Sequence, residues 1–230
     1  MQDNNSTLLK LKKLNPSINI ESVFDKPFNP FGQILNLNCS SKLLSKLEKD
    51  TDIPEVGNIY KPFIREWEDE EIVNELSQYY DKKIEIGYCN GQNTKLNALE
   101  WHDCPEINIY SRDVVLFLST LDNLDNSFSL NSKSVKTFFV PKNTAILLYN
   151  TTLHFAPCKV DKDGFKAIII LEDQTNTEIE DNSTLFNVEN PFNSLIFKKN
   201  KYIICHQDAT NLTIQNVKAN IKGINLNLNI

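Results

Sequence analysis

Glu100, His102 and Glu106 stand in the stretch LNALEWHDCPEINIY at the spacing E-x-H-x3-E. Two carboxylates and an imidazole that converge repel one another unless a cation or a proton sits between them. Together they form the mixed oxygen and nitrogen donor set that zinc, manganese, iron, cobalt or nickel accepts. Side chains alternate along a strand, so Leu96, Ala98, Glu100 and His102 are expected on one face, with Asn97, Leu99 and Trp101 on the other. At roughly 3.3 Å per residue, Glu100 and His102 lie about 7 Å apart along that face. Asp103-Cys104-Pro105 reads as a turn or bulge that returns Glu106 to His102. His154 in YNTTLHFAPCK supplies a fourth donor, and alternation groups it with Thr152, Ala156 and Cys158.

Each of these side chains also has an ordinary structural reading. A strand histidine is often a hydrogen-bonded core residue, and a strand glutamate is often an edge charge. A second histidine in a similarly placed strand, in a chain with three histidines, favours the metal reading. Polar residues near these strands are candidate substrate contacts: Asn93, Lys95 and Asn97 before the first strand, Tyr149 and Lys159 around His154, and His206 in IICHQD. Lysines there suit an anionic substrate, and they also suit a solvated strand face. Cys104 and Cys158 read as small buried side chains, because no separate partner is evident to activate a thiol.

The elements that must position these groups are short strands. From residue 83 onward KIEIGYC, KLNALEWH, EINIYS, DVVLFLSTL, VKTFFV, TAILLYN, LHFAPCKV and FKAIIILED follow one another, separated by NGQN, DCP, NSKS, PKN and DKDG. Branched and aromatic runs bounded by turn residues, with no helical pattern between them, indicate a β sandwich or small barrel. Upstream, residues 1–36 are expected to be irregular, with short helices at 41–49 and 67–80. In the second helix Ile72, Val73, Leu76, Tyr79 and Tyr80 form one apolar stripe, and acidic residues fill the first turn. Residues 1–82 are thus an N-terminal extension packed on a barrel of residues 83–230, one structural domain overall, closed by an extended C-terminal tail.

Composition narrows the function. The 230 residues are 40% hydrophobic and carry a net charge of −6. That balance supports a packed core and argues against nucleic acid as partner, since a phosphate-binding surface needs a basic excess. Five cysteines at long spacings form no CxxC pair and read as reduced thiols of a cytoplasmic protein. No apolar run reaches signal-peptide or membrane-helix length, so no membrane partner is expected. With six glycines and no Gly-rich phosphate loop, nucleotide binding is not expected either.

The two donor segments resemble the two halves of a cupin signature, G-x5-H-x-H-x3-4-E-x6-G and G-x5-P-x-G-x2-H-x3-N. Glu100 stands where the first histidine is usual, His102 and Glu106 keep their places, and His154 is the histidine of the second half. Thr151 replaces a glycine there and Cys158 replaces the asparagine. A closer resemblance rests on FDKPFNPFGQIL, YCNGQNTKLNALEWHDCPEINI, FFVPKNTAILLYNTTLHFAPCKV and KKNKYIICHQD, over about residues 20 to 230. These blocks look like a bacterial cupin-like family long labelled a domain of unknown function. That family is similar to the ureidoglycolate lyase group and includes sugar isomerases that act on a sulfonated hexose.

The resemblance implies a mainly β, cupin-type double-stranded β-helix with a divalent metal (Mn, Zn, Co, Ni or Fe) at Glu100, His102, Glu106 and His154. Such a centre chelates two adjacent oxygens of a small sugar-like substrate and supports aldose–ketose isomerisation through a metal-chelated enediolate. Glu106 or Glu100 then serves as ligand or as proton-transferring base. A ureidoglycolate-lyase-like carbon–nitrogen lyase and a non-catalytic metabolite-binding cupin are the alternatives. Cupins frequently pair through sheet edges, which makes a homodimer the natural assembly.

Overall fold

The computed structural model describes residues 2–179 and 191–230. Its helices are α1 (Gln2–Leu14), α2 (Ser40–Asp50), α3 (Glu70–Ser77) and α4 (Thr210–Thr213). The strands of the first half are β1 (Ile20–Ser22), β2 (Gly32–Leu35), β3 (Asn58–Lys61), β4 (Ile84–Gly91), β5 (Ala98–His102), β6 (Glu106–Tyr110), β7 (Val114–Thr120) and β8 (Leu130–Asn131). Those of the second half are β9 (Lys136–Val140), β10 (Thr144–Leu148), β11 (Thr152–Leu153), β12 (Cys158–Lys159), β13 (Phe165–Glu172), β14 (Ile196–Lys198), β15 (Lys201–His206) and β16 (Lys218–Lys222). The fold is mainly β, a small barrel of short strands as the strand pattern predicts.

Two curved sheets form it. One runs β2-β10-β6-β13-β4-β3. The other runs β1-β9-β7-β11 and continues, through a bridge between Glu100 and His154, into β5 and β15, with β14 and β16 on the far edge of β15. Alternation along each strand sorts its residues between two layers. On β13, Ala167, Ile169 and Leu171 face inward against Leu116, Leu118 and Phe138 of the opposite sheet. Ile168 and Ile170 face outward, where Leu43, Leu47, Trp67, Ile72 and Leu76 of the helical layer cover them. The outer face of the second sheet is covered by Leu11 of α1 and Leu228 of the C-terminal tail.

Residues 1–36 are therefore not irregular. They hold α1, β1 and β2, with β1 pairing in parallel with β9 and β2 antiparallel with β10. The helix is secured from far along the chain: Asn229 N–H donates to Asn15 Oδ1 at 2.8 Å, and Asn15 Nδ2 donates to Asn229 O at 2.9 Å. Nothing local announces that contact. Two acidic side chains at α3 are structural. Asp69 pairs with Lys42 and Lys46, and Glu75 accepts the backbone N–H groups of Asn38 and Cys39 at the start of α2. A negative side chain there satisfies otherwise orphaned donors. Residues 1–82 carry strands as well as helices, and β1, β2 and β3 pair with β9, β10 and β4.

Glu85 on β4 is 2% exposed. Its Oε2 accepts the Gln174 backbone N–H at 3.1 Å, and Oε1 has no hydrogen-bond partner. Burial pushes its carboxyl from 4.5 up to about 8, against the Gln174 hydrogen bond and with help from Asp173 and Glu68. The folded state therefore binds this proton more tightly than the unfolded chain, and stability falls as pH rises from about 4.5 to about 8. Glu85→Gln removes that slope. Melting temperatures of both proteins at pH 5 and pH 8 test it: the wild type loses more stability than the variant across this interval. Equal losses would refute the assignment.

Candidate metal centre

The two sheets part at one end to enclose a cavity of about 220 Å³. Glu100 and His154 come together at its floor through the backbone. Glu100 N–H donates to His154 O at 2.6 Å, and His154 N–H returns the bond to Glu100 O at 2.9 Å. An antiparallel pair that exchanges both bonds places its side chains beside each other on one face. His102, two residues on from Glu100, shares that face. Asp103-Cys104-Pro105 is a bend rather than a bulge within one strand. It carries the chain from β5 in one sheet to β6 in the facing sheet. Glu106 thus reaches His102 from across the cavity.

The geometry is tight. Glu106 Oε2 lies 3.2 Å from His102 Nε2 and 3.3 Å from His154 Nε2. Glu106 Oε1 accepts from Asn108 Nδ2 at 3.0 Å, the next inward residue of β6. Glu100 Oε1 lies 3.9 Å from His102 Nε2. Donor atoms of Glu100, His102 and His154 fall within 4.8 Å of one another. His154 Nδ1 lies 3.0 Å from Thr152 O. Donation there leaves the Nε2 lone pair for the cavity side, the arrangement in which a ligating histidine is held by its other nitrogen. Both Nε2 atoms are buried without a well-formed hydrogen bond, an expensive state unless a cation takes the lone pairs. The residues present therefore fit a divalent ion.

The electrostatics follow from burial and proximity. Burial pushes the Glu106 carboxyl up, but the His154 and His102 imidazoles outweigh it and hold it well below the usual carboxylate range. Burial pulls His154 down, and the charges of Glu106 and Glu100, with the Thr152 carbonyl at Nδ1, raise it above the ordinary histidine value. Cys89 lines the cavity, and burial, reinforced by Glu100 and Glu106, pushes its thiol up to about 12. Burial likewise drives Cys104 up to about 11, so it is a neutral buried thiol.

The four expected donors converge, but the expected substrate contacts do not. None of Asn93, Lys95, Asn97, Tyr149, Lys159 and His206 lines the cavity. Asn93 braces the loop by donating to Ala156 O at 2.9 Å. Lys95 is exposed and bridges to Asn227 of the tail. Asn97 binds Asn225 through both amides, Lys159 donates to Gln92, and Tyr149 packs in the helical layer. His206 is pinned between Gly223 O at 3.1 Å and Asp208 N–H at 3.2 Å. The strict alternation expected before β5 also fails. Asn97 adopts φ 51, which turns Leu96 into the cluster of Leu99 and Trp101. Cys158 likewise sits with Leu153, because the chain between β11 and β12 is not extended strand.

Other residues take those places. Asn58 and Tyr60 of β3, Asn108, Asn176, Gln215 and Lys201 line the cavity, alongside Phe155, Phe197 and Leu212. Lys201 Nζ lies 2.5 Å from Glu100 Oε2. Alternation in KYIICH puts Lys201 and Ile203 on one face, but only the pairing of β15 with β5 sets Lys201 opposite His102. That register joins segments about a hundred residues apart by backbone bonds alone, and such bonds leave no local sequence signal.

A model of the family described as a domain of unknown function, DUF4867, matches residues 20–226. The chain belongs to the DUF4867 family. The DUF4867 match takes in β1 through β16 and all four candidate donors. No curated protein matches the chain significantly. Among solved structures, one of oxalate decarboxylase, concerned with its substrate binding mode, is 14% identical with a TM-score of 0.32, over 41% of this chain and 23% of that one. Another, of the Bacillus subtilis enzyme and its Mn(II) centres, is 13% identical with a TM-score of 0.32, over 57% of this chain and 36% of that one. The DUF4867 chain thus aligns with well under half of either structure, and neither likeness bears on its activity. Among the described residues, no helix is long and apolar enough to cross a membrane.

Proposed function

We propose that this protein is a divalent-metal enzyme that isomerises a small sugar-like substrate between its hydroxy-aldehyde and hydroxy-ketone forms. The observation that supports this most is the convergence of Glu100, His102, Glu106 and His154, with Glu100, Glu106 and His154 lining one cavity. Two imidazoles with one or both carboxylates are the donors that Mn, Fe, Co, Ni or Zn takes. When bound, the ion would supply Lewis-acid polarisation of two adjacent substrate oxygens.

The chain supplies the rest. A carboxylate of Glu106 or Glu100 takes the proton from one carbon and returns it to its neighbour, while the hydroxyl proton passes to the former carbonyl oxygen, a redox-neutral shift overall. Asn58, Asn108, Asn176, Gln215 and Tyr60 offer neutral groups that both donate and accept, which suits a hydroxyl-rich ligand. Asn176 Nδ2 is committed to the Tyr60 hydroxyl at 2.7 Å, while its Oδ1 is buried without a partner. A substrate hydroxyl would satisfy that acceptor. The volume, below the ~300–1,000 Å³ of drug-sized sites, favours a compact substrate. Phe155, Phe197 and Leu212 keep water from its apolar side. We further propose a cytoplasmic location, in line with the buried free thiols, and a homodimeric assembly.

Elemental analysis of the purified protein should find close to one equivalent of divalent metal. Adding Mn, Co, Ni, Fe or Zn to stripped protein should raise its melting temperature. A protein that carries no metal and responds to none would end this reading. A panel of aldoses, ketoses and acidic sugars then identifies the substrate. Glyoxylate release from ureidoglycolate would instead mark a carbon–nitrogen lyase, and ligand binding without turnover a binding cupin. Asn176→Ala should raise KM about 10-fold with little change in kcat, the signature of lost uniform binding.

A further inference from the structure

We propose that Lys201 holds Glu100 outside the metal's ligand set, leaving a centre of His102, His154 and Glu106 with Glu100 as a carboxylate that faces substrate. The inference rests on the metal reading above and deepens it. Two triads are geometrically available, and both contain the two histidines. What separates them is which carboxylate is free to turn toward the imidazoles.

Glu106 is already committed to that direction. Its Oε2 is nearly equidistant from the two Nε2 atoms, at 3.2 and 3.3 Å, and Asn108 fixes the other oxygen at 3.0 Å. An ion seated between the imidazoles meets this oxygen without breaking any other bond of the side chain. Glu100 is committed elsewhere. Its Oε2 is 2.5 Å from Lys201 Nζ, an ion pair rather than a well-aligned hydrogen bond, while its Oε1 stands 3.9 Å from His102 Nε2.

The register explains the difference. Lys201 sits opposite His102 and Ile203 opposite Glu100, so the lysine reaches Glu100 along the diagonal of an antiparallel pair. The Lys201 and Glu100 side chains are 13% and 12% exposed. Breaking a pair that is largely out of water strands an uncompensated charge, a costly step. Lys201 is further confined by the Tyr60 ring, 5.7 Å from Nζ to the centroid. Glu100 would have to abandon this partner to ligate, and Glu106 abandons nothing. Two histidines and one carboxylate would hold the ion with three protein donors and leave it able to take a substrate with two neighbouring oxygens. Glu100 and Lys201 both line the cavity and are placed to touch that substrate.

The test compares the paired variant Glu100→Gln with Lys201→Met, which keeps the local charge, against Glu106→Gln. Each metal-stripped protein is titrated calorimetrically with Mn2+, and its Co2+ absorption spectrum is recorded. The paired variant should bind Mn2+ within about threefold of wild type, with an unchanged Co2+ spectrum and lost turnover. Glu106→Gln should weaken binding by more than the about 10–100-fold typical of losing a hydrogen-bond partner behind a ligand. Should Glu106→Gln melt early without metal, Glu106→Asp replaces it, and it too should bind Mn2+ far more weakly than the paired variant. A paired variant that loses the ion as Glu106→Gln does, or shifts the Co2+ bands, overturns the inference. Wild-type protein that takes up no ion overturns the underlying metal reading instead, so the two failures are distinct.

Discussion

Replacing His154 with alanine is expected to strip the divalent ion from the protein and abolish turnover. His154 is held from both sides. Its backbone exchanges two hydrogen bonds with Glu100, and its Nδ1 lies 3.0 Å from Thr152 O. The ring therefore has one orientation, with Nε2 aimed at Glu106 Oε2. Alanine keeps the backbone pair and removes the nitrogen, so β11 and β5 stay joined while the centre falls to one imidazole. Metal affinity should drop by more than the about 100-fold that marks the upper end of outer-partner losses. Turnover should drop by at least about a thousandfold if the ion supplies several kcal/mol of charge stabilisation. Elemental analysis and kcat/KM read the two effects separately. A variant that retains one equivalent of metal and near-normal turnover would show that His154 is a core histidine.

Gly87→Ala is expected to destabilise the fold and damage substrate binding while sparing the ion. Gly87 faces inward on β4, where a Cβ would stand 2.0 Å from Lys61 O and 2.4 Å from Pro62 O. Both are backbone atoms and cannot rotate away. The end of β3 must move instead, at a cost of about 1–3 kcal/mol or more for an overpacked site. β3 carries Asn58 and Tyr60 on the cavity wall, and the metal donors lie on β5, β6 and beside β11. Urea unfolding should therefore show a lower midpoint, and substrate KM should rise. Mn2+ affinity should stay near the wild-type value. An unchanged midpoint would mean that β3 yields at no cost, and unchanged KM would remove Asn58 and Tyr60 from the substrate site.

The strands of the barrel were legible because alternation is a local property. Ile107, Ile109, Ile168 and Ile170 face the helices, and Glu106, Asn108 and Ile169 face the cavity, as the period of two requires. The α1 helix was missed. Its apolar face is slight, with Leu11 buried and Leu9 half exposed, and its anchorage is Asn229 at the other end of the chain. The same limit applied to the cavity wall. Sequence neighbours of the donors, such as Lys95 and Lys159, point along the strand edge or outward, while distant residues such as Tyr60, Asn176 and Lys201 fill the wall.

By itself, then, the amino-acid sequence determined a strand-built domain and four donor side chains of the right type, because residue chemistry and strand periodicity are both written locally. Only the tertiary structure decided how those donors meet. The bend at Asp103-Cys104-Pro105 crosses between sheets, and the Glu100–His154 bridge sets two donors side by side. The β5–β15 register brings Lys201 onto Glu100. The last two rest on backbone pairing across long sequence separations. Such bonds are available to any residue, so no residue type records which partner was chosen.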